Sequence, residues 1–172
     1  MTAPDMLFSA EQIQARVRAL ARQIALAPLV PDVCMPVLVG GFVFASDLLR
    51  ALSWEGVAMD VEMIWLRSYG DKRVAGAISM IAGPSEQIAG RHVLVIDGVL
   101  DAGRTIAKAV SLIKAAGAAS VQVAVILDKQ RSDAVAKADY VGFVVGNEFV
   151  VGYGMDDAGR YRGLAYIGKV GG

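Results

Sequence analysis

Apolar residues recur along this chain at two spacings, and the places where one spacing gives way to the other mark out its elements. Ile13, Val17, Leu20 and Ile24 fall three or four residues apart, as on one face of a helix, behind Ser9 with Gln12 three residues on, the arrangement of a capping box. Pro28 and Pro31 end that helix. Residues 35–39 are an unbroken apolar run halted by Gly40-Gly41, after which Phe44, Leu48 and Leu52 share a face of a second helix. Residues 57–66 alternate loosely and are rich in β-formers, whereas 68–83 mix three glycines with polar residues and read as a loop or weak hairpin. Residues 92–97 form a buried strand that ends in an acid, and Ile106, Ala109, Val110 and Ile113 mark the helix that follows and stops near Gly117. Residues 121–127 supply another buried strand, and 140–153 hold two β-rich segments joined through Gly146-Asn147, a hairpin or a sharp corner.

Strands that are apolar on both faces and alternate with helices belong to an α/β protein: a mainly parallel twisted sheet with helices on both faces. The 172 residues suit one domain, residues 1–172, and one site. The formal charge is zero, so no global basic field points to nucleic acid or an anionic membrane as partner. No apolar stretch nears the roughly 18 residues of a membrane span, and the first residues lack the basic start and apolar block of a signal peptide. The expected compartment is the cytoplasm, and the single cysteine, Cys34, reads as a core residue in a reducing environment. A chain that is 55% apolar and only 20% charged is also expected to bury surface between subunits, as a homodimer or homotetramer.

The strongest chemical signal is VLVIDGVLDAGRT, residues 93–105. In an open parallel sheet ligands bind beyond the carboxyl ends of the strands, and here a strand ends in Asp97-Gly98 and runs through Asp101-Ala102-Gly103-Arg104-Thr105 into a helix. Unpaired amides at the helix start, a glycine that permits close approach and the Thr105 hydroxyl make a cradle for a phosphate. Taken alone, Asp101 could equally be a helix cap and Gly103 a plain turn.

The remaining landmarks are Gly40-Gly41 after a strand, Ser68-Tyr69 at a loop start, Leu127-Asp128-Lys129, Asp139-Tyr140-Val141-Gly142-Phe143, EFVVGYGMD at 148–156 and Tyr161-Arg162. In that order, over residues 9–168, they resemble the hypoxanthine-guanine phosphoribosyltransferases, the 6-oxopurine branch of the type I phosphoribosyltransferases. The resemblance implies the family's fold, with a small hood formed by the terminal segments. It also implies transfer of the phosphoribosyl group from 5-phosphoribosyl-1-pyrophosphate to hypoxanthine or guanine, with Mg2+ as cofactor. By the same resemblance, Asp101, Ala102, Gly103, Arg104 and Thr105 hold the 5-phosphate, and Asp101 takes the proton of the purine nitrogen that joins the sugar. Asp97 holds the ribose hydroxyls. Lys129 donates to the 6-oxo oxygen, Phe149 stacks on the purine and the Val150 backbone reads its edge. Asp156 lies near the base and, with Asp97, serves the metal. Val39, Gly40 and Arg162 meet the pyrophosphate, and Ser68-Tyr69 head a flexible loop that closes over the centre.

Three departures stand out. Gly98 replaces the second of two adjacent acids, which implies a weaker hold on the ribose or a relative that binds purine nucleotides as a sensor or regulator; at a positive φ any side chain at Gly98 would cost stability. Val39 stands where many relatives have lysine, and Arg73-Val74-Ala75-Gly76 lacks the hydroxyl-rich stretch common in relatives. His92, Trp54 and Trp65 read as structural or packing residues, with the tryptophans at an interface as the other possibility, and Arg16, Arg18 and Arg22 as a solvated face.

Overall fold

Ser9 caps the first helix as its spacing requires: its Oγ accepts the Gln12 N–H while Gln12 Oε1 accepts the Ser9 N–H at 2.8 Å. The computed structural model describes residues 3–68 and 78–171. In chain order these form β1 (Asp5–Phe8), α1 (Ala10–Ala25), β2 (Val33–Leu38), α2 (Phe42–Trp54), β3 (Asp60–Val61), β4 (Ile64–Ser68), β5 (Ile78–Ala82), β6 (His92–Leu100), α3 (Arg104–Ala115), β7 (Ser120–Asp128), β8 (Tyr140–Val144), β9 (Val150–Val151) and β10 (Ile167–Lys169), with one 3-10 turn at Glu86–Ile88.

The main sheet runs β5-β4-β2-β6-β7-β8 and is parallel except for β5, with β3 also pairing along β2. The break between β3 and β4 falls beside Met35 and Pro36, where the proline has no N–H to give a neighbour. Alternate residues of β6 serve opposite faces. Leu94 and Ile96 pack with the α1 residues Ile13, Val17 and Leu20 and the α2 residues Phe44, Leu48 and Leu52; Val93 and Val95 pack with Ile106, Ala109 and Ile113 of α3. Each such side chain, fully buried, contributes about 1.5–3 kcal/mol, so helices on both faces hold β6 rigid and fix where its carboxyl end projects. Cys34 lies in this core, and burial pushes its thiol up to about 12.

A second, three-stranded antiparallel sheet, β1-β10-β9, is the hood. Because β8 belongs to the main sheet and β9 to the hood, Gly146-Asn147 lies in a corner rather than a hairpin turn. β4 and β5 pair antiparallel, with Ser68 opposite Ile78; the residues between them, Tyr69 and 73–76 among them, lie outside the described residues. His92 is structural, its Nδ1 2.9 Å from Ser120 Oγ and its backbone N–H donated to Asp32. Two residues differ from expectation. Trp54 is 91% exposed at the end of α2 and so is not a packing residue within this chain. Arg16 is not a solvated residue: its guanidinium donates to the Val141 and Gly142 carbonyls and ties α1 to β8. Among the described residues no helix is long and apolar enough to cross a membrane.

Candidate active site

The carboxyl ends of β2, β6 and β7 lie side by side, and the loops that leave them meet the hood across a cleft of about 280 Å³. Gly40 enters it after β2, Asp101 after β6 and Lys129 after β7; Phe149, Val150, Asp156 and Arg162 close it from the hood side. Seven residues singled out in the sequence thus share one cavity, and Val99 and Met155 complete its lining.

Lys129 is not a solvated lysine. Its side chain is 10% exposed and its Nζ donates to Asp101 Oδ2 at 2.9 Å, while its backbone N–H is held by the Leu100 carbonyl. The turn that presents it is built by Asp128, whose carboxylate accepts the Gln130 N–H at 2.7 Å, with Gln130 in the left-handed region at φ 47°. Strain of that kind is stored where the surroundings enforce it.

The turn after Asp101 is closely packed. Gly103 has φ 75°, and a Cβ there would stand 2.8 Å from Ala136 N, so only glycine lets residues 134–136 pass. The Ala102 carbonyl accepts the Val135 N–H, and α3 starts at Arg104, leaving its first amides without helical partners. Ala102, Gly103, Arg104 and Thr105 follow Asp101 directly and sit beside the cleft rather than in its lining.

Asp97 is partly exposed near the end of β6 and accepts the Gly98 N–H at 2.7 Å; burial nevertheless pushes its carboxyl up to about 7. Its Oδ1 lies 3.5 Å from where a Gly40 Cβ would stand. Three glycines converge at this point from separate segments. A Cβ on Gly98 would sit 3.1 Å from the Gly40 carbonyl oxygen and 3.2 Å from Met155 Cγ, and one on Gly154, at φ 96°, 2.7 Å from the same oxygen. Gly98 does not have a positive φ, so crowding, not backbone conformation, is what a side chain there must overcome. Gly98→Asp should therefore lower stability by about 1–3 kcal/mol as overpacking, and Met155→Ala in the same chain should recover part of the loss; urea unfolding of both variants measures it.

Asp156 and Arg162 are paired, Nη2 to Oδ1 at 2.7 Å, and the remaining contacts, Gly159 N–H to Asp156 and Arg162 to the Gly154 carbonyl, lock the hood loop. Phe149 is 49% exposed on the rim, while Val150 is buried and pairs with Lys169 of β10. Val39 is 43% exposed beside Gly40, and Ser68 ends β4. The sequence reading missed Tyr153, whose hydroxyl donates to Asp47 of α2 at 2.7 Å and anchors the hood to the main layer. Burial alone would raise the Asp47 carboxyl, yet bonds from Tyr153, Arg50 and Gln14 hold it below the usual range.

The chain belongs to the phosphoribosyltransferase family: the family model "Phosphoribosyl transferase domain" matches residues 5–158. Within it, the chain is 34% identical over 170 residues to the hypoxanthine-guanine phosphoribosyltransferase of Bacillus subtilis, covering 95% of this chain and 91% of that protein. It is 32% identical to the hypoxanthine phosphoribosyltransferase of Escherichia coli K12, covering 96% and 94%. The bifunctional protein TilS/HprT of Listeria monocytogenes (serovar 1/2a) is 40% identical over 95% of this chain, which spans only 25% of that protein's length. Among solved structures, the hypoxanthine phosphoribosyltransferase of Trypanosoma cruzi in complex with the product IMP superposes with a TM-score of 0.86 at 34% identity, covering 96% of this chain and 93% of that one.

Proposed function

We propose that the chain transfers the phosphoribosyl group of 5-phosphoribosyl-1-pyrophosphate to hypoxanthine or guanine, forming IMP or GMP and releasing pyrophosphate, a purine-salvage reaction. The observation that carries this reading is the Asp101–Lys129 pair, an acceptor for a proton beside a donor for a 6-oxo oxygen, held between the phosphate cradle and the hood.

With the 5-phosphate on residues 101–105, the sugar lies under the carboxyl end of β6, within reach of Asp97. The purine enters between Phe149 and Val99, its edge against the Val150 backbone. The bond from the ribose anomeric carbon to pyrophosphate oxygen breaks, the bond to the purine nitrogen forms, and the proton of that nitrogen passes to the Asp101 carboxylate. Gly40, Val39 and Arg162 receive the pyrophosphate, and Ser68-Tyr69 head the loop that closes over the centre and excludes water.

The donor set fits magnesium. Asp97 and Asp156 would offer hard oxygen ligands, and magnesium takes one or two carboxylates with the rest of its shell from phosphate and water. There it would supply positive charge to balance the leaving pyrophosphate. The sensor reading rests on Gly98 alone, and the crowding around that residue gives its lack of a side chain a packing reason. The apolar side chains exposed around β2 to β5, Val39, Phe42, Val61, Met63, Met80 and Ile81, suit burial against a second copy in a homodimer or homotetramer.

Lys129→Gln tests the base assignment. A lysine can only donate, whereas glutamine presents either a donor or an acceptor, so the preference for hypoxanthine over adenine should shrink by about tenfold or more. Initial rates with each base at saturating donor measure the ratio, which is insensitive to the general loss from stripping Asp101 of a partner. Efficient use of adenine by the unaltered protein would overturn the assignment.

A further inference from the structure

Asp101 is gripped from two sides. Lys129 holds Oδ2, and Arg131 Nη1 stands 3.4 Å from Oδ1. Arg131 is in turn set by Asp133, whose two oxygens accept from Nε and Nη2 at 2.8 Å each, a bidentate fork that occupies one edge of the guanidinium and leaves Nη1 facing Asp101. The chain takes a left-handed turn at Gln130, φ 47°, between the two residues that reach the same carboxylate.

The two cations are not equivalent. The Lys129 ammonium sits on a flexible stem with three rotatable donors and lines the cleft, so a 6-oxo oxygen can draw it off Oδ2. The Arg131 plane is fixed by its fork and lies outside that lining. A carboxylate left by its lysine at the moment it must take a proton would be free to rotate about its last torsion. We propose that the Asp133–Arg131 pair is a positioning device that keeps Asp101 aimed at the purine proton once Lys129 has turned to the base. Arg131 touches no substrate; it acts through Asp101. The long contact orients the carboxylate while leaving it accessible, since Asp101 remains 46% exposed. This inference rests on the transfer reaction proposed above.

Steady-state rates with hypoxanthine, at saturating donor and magnesium, test it. Arg131→Gln should lower kcat by about 10- to 100-fold, the scale expected from misplacing a reacting group, with the hypoxanthine KM changed no more than about twofold. Arg131→Lys restores the charge but not the fork and should recover only part of the loss. Asp133→Asn should give the same split to a smaller degree, and the double variant should be no slower than Arg131→Gln alone, because both substitutions disable one device. A folded Arg131→Gln protein with full kcat, a loss confined to KM, or losses that simply multiply would overturn the positioning role while leaving the reaction in place. An unaltered protein without turnover would overturn the reaction and the device together.

Discussion

Asp101→Asn should lower turnover by about 10²- to 10⁴-fold, the range general acid–base groups contribute, while leaving IMP affinity within a few-fold. Asparagine matches aspartate in size and keeps one acceptor oxygen, enough to retain Lys129, whose side chain is nearly buried. Its amide would then face Arg131, a donor meeting a donor, but across a contact that is already long at 3.4 Å and open to water on both sides, so the guanidinium can keep its fork to Asp133. What asparagine cannot do is take a proton. Single-turnover rates set beside IMP binding by calorimetry separate the two effects. Equal loss of rate and affinity, or loss of neither, would remove Asp101 from the chemistry and make it an element of the phosphate loop only.

The second large effect is on stability and carries the opposite sign from most site substitutions. Asp97 titrates in the folded chain at about 7, raised by burial above the ordinary aspartate value of 3.8 despite the bond from Gly98 that works the other way. Between those two values the folded state holds a proton that the unfolded state has released, so the stabilising contribution is complete below about pH 4 and is lost as pH rises through 7. Each pH unit between them is worth about 1.4 kcal/mol, and the partial exposure of Asp97 reduces the total, leaving an expected loss on the order of 2–4 kcal/mol between acid and neutral pH. Asp97→Asn keeps the acceptor for the Gly98 N–H and has nothing to ionise. In magnesium-free buffer its melting temperature should exceed that of the unaltered protein at pH 8 and match it near pH 4, while its KM for the pyrophosphate donor rises. Parallel melting curves for the two proteins across that range would show that Asp97 is well solvated after all. A carboxylate kept where it weakens the fold is the pattern of a site under functional demand.

Periodicity and capping chemistry were enough to locate α1, α2, α3 and the buried strands, because Ser9, the Gly40-Gly41 stop and the runs around Leu94 and Val123 are local signals. The cleft residues were legible mainly through the resemblance: nothing in the neighbourhood of Lys129 or Asp156 distinguishes either from an ordinary surface charge. What stayed hidden is long-range. β1 and β10 have four and three residues and pair across most of the chain, too short to announce themselves by pattern. The crowding at Gly98 comes from Gly40 and Met155, and the contact from Arg131 to Asp101 spans 30 residues. Local sequence carries no trace of either. The exposure of Trp54 within this chain stayed hidden for a related reason, since a large aromatic on an amphipathic helix looks the same whether it faces a core, a partner or water.

The hood has a bearing on how the protein is made. Val150, against which the base would lie, is held in place by Lys169, and β10 is itself sandwiched between β9 and the N-terminal β1. On a ribosome the layers around β2, β6 and β7 can consolidate as they emerge, yet the hood wall of the cleft cannot close until residues 167–169 have cleared the exit tunnel. β1 must wait unpaired while the more than 150 residues that separate it from β10 are synthesised. The turn after β6 can therefore form before the hood side of the cleft, and a product released between β7 and β10 would have the one without the other.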